Sequence, residues 1–134
     1  MKAAVAVYPH STHTVRVLIV DDEPLFMEMV QALLDVEEGI EVVGKAKHGR
    51  EGVKLANELA PDVIVMDISM PVMNGLDATR EIRERDPNAC VLILTGGTNI
   101  AEVDRARKAG AAAYLTKDRI AGELVPEIRN VAGR

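Results

Sequence analysis

The 134-residue chain contains a single cysteine, two tyrosines, one phenylalanine and no tryptophan. A lone thiol, Cys90, rules out a disulfide framework or a cysteine-based metal site within one chain and suits a reducing, cytoplasmic setting. So few rings leave little platform for stacking on bases, sugars or flavins. Positive charge is also short: 16 Lys and Arg stand against 21 Asp and Glu, for a net charge of −5. The signs are mixed along the chain, without the basic patch of a nucleic-acid surface. Long apolar runs are missing, so no segment reaches the ~20 residues of a membrane span. The opening MKAAVAVYPHSTHT has its apolar patch broken by Tyr8, Pro9 and His10. It falls short of the roughly 7–15-residue apolar core of a secretory signal. Residues 1–14 are therefore read as a flexible extension, with a short strand over Ala3–Tyr8 as the alternative. Neither a membrane nor a nucleic acid is expected as a partner of this domain.

About half of the residues are hydrophobic, and their pattern is regular. VRVLIVDD (15–22), DVIVMD (62–67) and CVLILT (90–95) are continuous apolar runs, as in strands covered on both faces. IEVVGKA (40–46) is weaker and suits an edge, and AAAYLTK (111–117) is a fifth strand. Between them lie helical patterns. Phe26, Met29, Val30, Leu33 and Leu34 recur at helical spacing after Pro24, a residue suited to a first helical turn. Val53, Ala56 and Leu59 mark a helix over 50–59, stopped at Ala60-Pro61. Leu76, Thr79, Ile82 and Arg83 mark a third, ended at Asp86-Pro87. Asn99 and Glu102 have the spacing of a capping box for a fourth, which runs to Ala109-Gly110. Leu124, Ile128 and Val131 mark the last, with Pro126 implying either a late start or a bend. The order is (βα)5, which right-handed crossovers turn into a doubly wound parallel sheet in a single domain over residues 15–134. No internal repeat or linker interrupts it.

Parallel strands end on one edge, where open α/β sheets bind ligands at the reversal of strand order. In the order 2-1-3-4-5, strands one and three flank that point. Asp21 and Asp22 end strand one, Asp67 strand three, Thr95 strand four and Lys117 strand five. Three clustered carboxylates repel one another unless a cation joins them, and Mg²⁺ is a hard ion that takes such oxygens. Lys117 adds a point charge for phosphoryl oxygens, Thr95 a hydroxyl donor, and Asp67 a carboxylate able to form an aspartyl phosphate. Each residue alone has a plain reading. Asp21 and Asp22 suit helix caps ahead of Pro24, Lys117 an exposed lysine, and Thr95 a strand-end hydroxyl. Together, at the ends of four strands, they point to a site. His10, His13 and His48 are read as solvated, and Met27, Met29, Met66, Met70 and Met73 as packing residues.

At these residues the chain resembles the receiver domain of two-component response regulators. VLIVDDEP carries the acid pair, VIVMDISMPVMNG the phosphorylation loop, LILTG the threonine, and GAAAYLTKD the switch tyrosine and lysine. VVGKAKHG and GAAAYLTKD are most similar to the NarL/LuxR-type transcriptional regulators. The resemblance implies a flavodoxin-like receiver fold and a non-enzyme that catalyses only its own phosphorylation and dephosphorylation. It implies that Asp67 accepts a phosphoryl group from the phosphohistidine of a sensor histidine kinase. Mg²⁺ (or Mn²⁺) would be held by Asp22, Asp67 and the backbone carbonyl of Ser69, with Asp21 acting through water. Lys117 and Thr95 would contact the phosphoryl oxygens, and Tyr114 would turn inward as Thr95 moves. Pro71, Gly75 and Gly96 would shape the loops: Pro71 by its fixed φ, Gly75 by permitting the turn into the helix. A homodimer on phosphorylation and a DNA-binding output domain beyond Arg134 are further expectations. The short NVAGR ending favours an excised receiver over a stand-alone one.

Two positions depart from the family pattern. Asp118 stands where many receivers have proline after the lysine, which leaves the geometry of the Lys117–Asp118 peptide to be determined. Ser69 and Gly97 are small, which implies open access for hydrolytic water and an aspartyl phosphate of ordinary lifetime. Rival functions lack their signatures. A dehalogenase-like phosphatase needs an acid two residues after its nucleophile, where this chain has Ser69. A nucleotide or flavin binder needs a glycine-rich loop after strand one, where this chain has VDDEPLF. A pseudo-receiver would lack site residues that are all present here.

Overall fold

The computed structural model describes residues 13–97 and 99–133. The chain runs β1 (Val15–Val20), α1 (Pro24–Asp35), β2 (Ile40–Ala46), α2 (Gly49–Leu59), β3 (Val63–Asp67) and α3 (Gly75–Arg85). It continues through β4 (Val91–Thr95), α4 (Ile100–Ala109), β5 (Ala113–Thr116), a 3-10 turn (Lys117–Arg119) and α5 (Ile120–Ala132). The extension up to residue 12, including the alternative strand Ala3–Tyr8 and His10, lies outside the described residues.

All five strands are parallel, in the expected order 2-1-3-4-5. Alternation along β1 explains the two covered faces. Val17 and Ile19 join Val65, Leu92 and Leu94 beneath α1 and α5, through Val30, Leu34, Leu124 and Ile128. Leu18 and Val20 face the other way, with Ile64, Met66 and Ile93, beneath α2, α3 and α4. Each buried aliphatic side chain contributes about 1.5–3 kcal/mol relative to exposure, so strands buried on both faces hold the sheet in register. β2 is an edge strand with only its end residues buried, as its weaker pattern implied.

Several local expectations resolve differently. Strands β1 and β5 stop short of the ends read from the sequence. Asp21 and Asp22 follow β1, and Lys117 opens the 3-10 turn after β5. Helix α5 starts at Ile120, well before Pro126, so it does not start late. It takes the proline within the helix on its exposed side, while Leu124 and Ile128 face the core. His48 is not simply solvated: its Nδ1 accepts from the Glu51 backbone N–H at 3.2 Å and caps α2. Met29 is exposed, whereas Met27 and Met66 are buried. No cis peptide occurs among the described residues, so Lys117–Asp118 is trans.

Candidate functional site

Asp21 and Asp67 come together through register. Val20 pairs with Met66 across the β1–β3 ladder, so the next residue of each strand emerges side by side at the carboxyl edge. Both carboxylates are buried, at 2% and 4% exposure, whereas Asp22 is exposed. Asp21, Asp22 and Asp67 each offer one oxygen within 4.8 Å of the others. Asp21 Oδ1 accepts from the Glu23 N–H at 2.8 Å, while its Oδ2 is buried without a hydrogen-bond partner. Lys117 Nζ stands 3.3 Å from that Oδ2 and 3.4 Å from Asp67 Oδ1, as an ion-pair partner of both. An all-oxygen set with one buried oxygen that accepts no hydrogen bond suits a hard cation, and these three carboxylates could hold a metal ion.

The electrostatics express the same crowding. Burial, and after it the charge of Asp21, raises the Asp67 carboxyl to about 7, against the lowering by Lys117. Burial also raises Asp21, opposed by the Glu23 N–H and by Lys117. Burial is the largest single influence on Lys117 and draws its ammonium down. The hydrogen bond to Glu23 and the charges of Asp67 and Asp21 together overcome it, leaving Lys117 raised. Lys117 Nζ also lies 4.2 Å from the centroid of the Phe26 ring, a cation–π contact that fixes the end of a flexible stem.

The loop after β3 is built by close backbone approaches. Gly75 N–H donates to Ile68 O at 2.9 Å, and a Cβ on Gly75 would lie 2.2 Å from Asp67 O. Glycine is therefore required for space, and its φ lies outside the left-handed region. The left-handed residue of this loop is Val72, at φ 69°. Pro71 O accepts from Met73 N–H at 2.7 Å across it, closing a three-residue turn. Ser69 is exposed, with its N–H 3.5 Å from Asp67 Oδ1. Gly96 is exposed with open space around it. Thr95, at the end of β4, is 3% exposed, and its hydroxyl donates to Glu102 Oε1 at 2.9 Å. Tyr114 on β5 is half-buried and donates to the same Glu102 oxygen at 2.7 Å.

Residues 17–129 match the family model described as the response regulator receiver domain. The chain belongs to the response regulator receiver family. This receiver domain is 42% identical over 117 residues to the chemotaxis protein CheY of Thermotoga maritima, covering 87% of this chain and 97% of that protein. It is 38% identical over 118 residues to the transcriptional regulatory protein DegU of Brevibacillus brevis, covering 88% of this chain and 50% of that one. A solved LuxR-family two-component response regulator from Aurantimonas sp. SI85-9A1 superposes with a TM-score of 0.86 at 38% identity, covering 90% of this chain and 87% of that one. The chain spans about half, or less, of the length of many of the curated relatives it matches.

In this receiver domain Asp21, Asp22, Asp67 and Lys117 form one cluster, while Thr95 and Tyr114 form a second around Glu102. Glu23 and Phe26 are partners of Lys117 that no motif in the sequence marks. The only signal was their position just after the acid pair. The spacing of Glu102 from Asn99 marks it in the sequence as half of a capping box. Asn99 Oδ1 does cap α4, accepting from the N–H groups of Ala101 and Glu102 at 2.9 and 3.3 Å. The Glu102 carboxylate, however, turns across to β4 and β5 instead.

Proposed function

We propose that this receiver domain is a phospho-accepting switch whose phosphoryl acceptor is Asp67. The observation that carries the reading is the buried Asp21–Asp67 pair with Lys117 bridging it, beside the exposed Asp22. Asp22, Asp67 and the Ser69 carbonyl are the proposed ligands of Mg²⁺ (or Mn²⁺), with Asp21 acting through water. Such an ion would offset the carboxylate charge and draw electron density from the phosphoryl oxygens. An Asp67 oxygen attacks the phosphorus of a phosphohistidine on a sensor histidine kinase. The new P–O bond forms as the P–N bond breaks, and the electron pair leaves on the imidazole nitrogen. Lys117 turns from its carboxylate partners toward a phosphoryl oxygen, and Thr95 donates its hydroxyl to another. Tyr114 follows inward and reshapes the α4–β5–α5 surface.

The chain is, on this reading, a signalling module that catalyses only its own phosphorylation and dephosphorylation, in the cytoplasm. Its similarity to DegU and to a LuxR-family regulator supports control of transcription through a DNA-binding domain; a homodimer formed on phosphorylation is a further part of the proposal. The small Ser69 and Gly97 support ready entry of hydrolytic water, and thus an aspartyl phosphate that does not survive for many hours at neutral pH. Incubation with Mg²⁺ and acetyl phosphate should add one phosphoryl mass to the wild type and none to Asp67→Asn. Equal adducts on both proteins, or none on the wild type, would refute the assignment. Multiple turnover of a phosphate ester would instead point to a phosphatase.

A further inference from the structure

The second cluster has a chemistry of its own. One carboxylate oxygen, Glu102 Oε1, receives both the Thr95 hydroxyl at 2.9 Å and the Tyr114 hydroxyl at 2.7 Å. Thr95 is nearly fully buried, and Glu102 and Tyr114 are half-buried. The Thr95 oxygen also lies 3.4 Å from the Gly97 N–H that donates to it. In this arrangement its one proton is donated to Glu102. Helix α4 does not need this carboxylate for capping, because Asn99 serves two N–H groups of the first turn. The bonds instead tie that turn to the end of β4 and to β5.

We infer that Glu102 is a latch, a positioning residue that holds Thr95 and Tyr114 in the resting arrangement. The inference rests on the phospho-switch reading of Asp67 and deepens it. A hydroxyl has one proton to donate. Thr95 cannot serve Glu102 and a phosphoryl oxygen on Asp67 at once, so activation must break the Thr95–Glu102 bond. Hydrogen bonds to an ionised acceptor are about twice as strong as neutral ones, so the latch sets a threshold against spontaneous switching. Because both donors share one oxygen on one side chain, a movement of Glu102 frees the Thr95 hydroxyl and leaves Tyr114 only its longer bond to Gly97 O, at 3.4 Å. Glu102 thus adds a link through α4 to the direct contact between the Thr95 and Tyr114 side chains.

Glu102→Ala removes the acceptor and leaves the Asn99 cap in place. Glu102→Gln keeps an uncharged oxygen and is the second variant should the first fold poorly. With acetyl phosphate and Mg²⁺, Glu102→Ala should become phosphorylated about ten-fold faster than the wild type, the factor expected on losing a charged hydrogen bond from the resting state. Glu102→Gln should fall between them. Tyr114 supplies a readout that a merely structural role would not move. In a Tyr8→Phe background it is the sole tyrosine, and the chain has no tryptophan. Its fluorescence, quenched by the adjacent carboxylate, should rise in Glu102→Ala without phosphorylation, and in the Glu102-containing parent on phosphorylation. Unchanged emission and an unchanged or slower rate in both variants, with the wild type still phosphorylated on Asp67, would overturn the latch alone. A wild type that takes no phosphoryl group would overturn the phospho-switch reading and the latch with it.

Discussion

Lys117 Nζ lies 2.9 Å from Glu23 Oε1, nearer than to Asp21 or Asp67 at 3.3 and 3.4 Å. Glu23 is largely exposed, whereas the lysine side chain is 17% exposed. The ammonium is thus drawn toward a surface acid and away from the place where a phosphoryl group would sit. An ion pair with one exposed member contributes little, so Glu23→Gln should change stability by less than about 0.5 kcal/mol. It should speed phosphorylation by acetyl phosphate about two- to three-fold, an effect on the order of 0.5 kcal/mol. Lys117→Ala should slow it far more. A Glu23→Gln rate below that of the wild type would show that Glu23 assists Lys117 instead of restraining it.

Without metal, Asp67 should cost the fold stability at high pH. Its carboxyl is raised to about 7 in the folded protein, from an ordinary value of 3.8. Below 3.8 both folded and unfolded chains hold the proton. As pH rises the unfolded chain gives it up first, so this contribution to stability is lost as pH climbs through about 7. In EDTA, the wild type should therefore lose several degrees of Tm relative to Asp67→Asn between about pH 5 and about pH 8. Millimolar Mg²⁺ should raise the wild-type Tm at the higher pH, since a ligand of the folded state alone stabilises it. Parallel Tm curves for the two proteins in EDTA would contradict the buried charge.

Gly75 and Gly96 should respond differently to alanine. A Cβ at Gly75 would meet Asp67 O at 2.2 Å, a backbone atom that cannot yield without displacing the acceptor. Gly75→Ala should cost about 3 kcal/mol or more and lower the extent of phosphorylation. At Gly96 nothing lies within 4 Å, so Gly96→Ala should stay within about 0.5 kcal/mol of the wild type. Urea denaturation of both variants measures the contrast.

Val72 holds φ 69° with a β-branched, 81% exposed side chain. That region costs L-residues roughly 1–2 kcal/mol, and asparagine bears it better. Val72→Asn should therefore raise stability by about 1 kcal/mol, equal to a few degrees of Tm. A drop in Tm would mean that the valine makes an apolar contact worth more than the strain.

Much of the fold could be read from periodicity. VLIV, VIVM and VLIL are continuous because their strands are covered on both faces, and IEVVGKA is weaker because β2 is an edge. Boundaries were less legible. Lys117 follows an apolar run and looks like the end of a strand, yet it starts a 3-10 turn. Pro126 looks like a break, yet α5 takes it on its exposed side because Leu124 and Ile128 anchor the helix from the core.

Sequence alone determined the parallel (βα)5 order and the identity of the edge residues Asp21, Asp22, Asp67, Thr95 and Lys117. Those follow from apolar runs and from where each run stops, which are local properties of the chain. Tertiary structure decided which of them share partners. Glu102 sits at capping-box spacing from Asn99, and helix geometry by itself would let it turn back. Its carboxylate reaches Thr95 and Tyr114 because β4 and β5 lie beside the start of α4. Glu23 reaches Lys117 across 94 residues because parallel strands bring their ends to one edge. A side chain chooses among acceptors by distance in space, and only the folded sheet sets that distance.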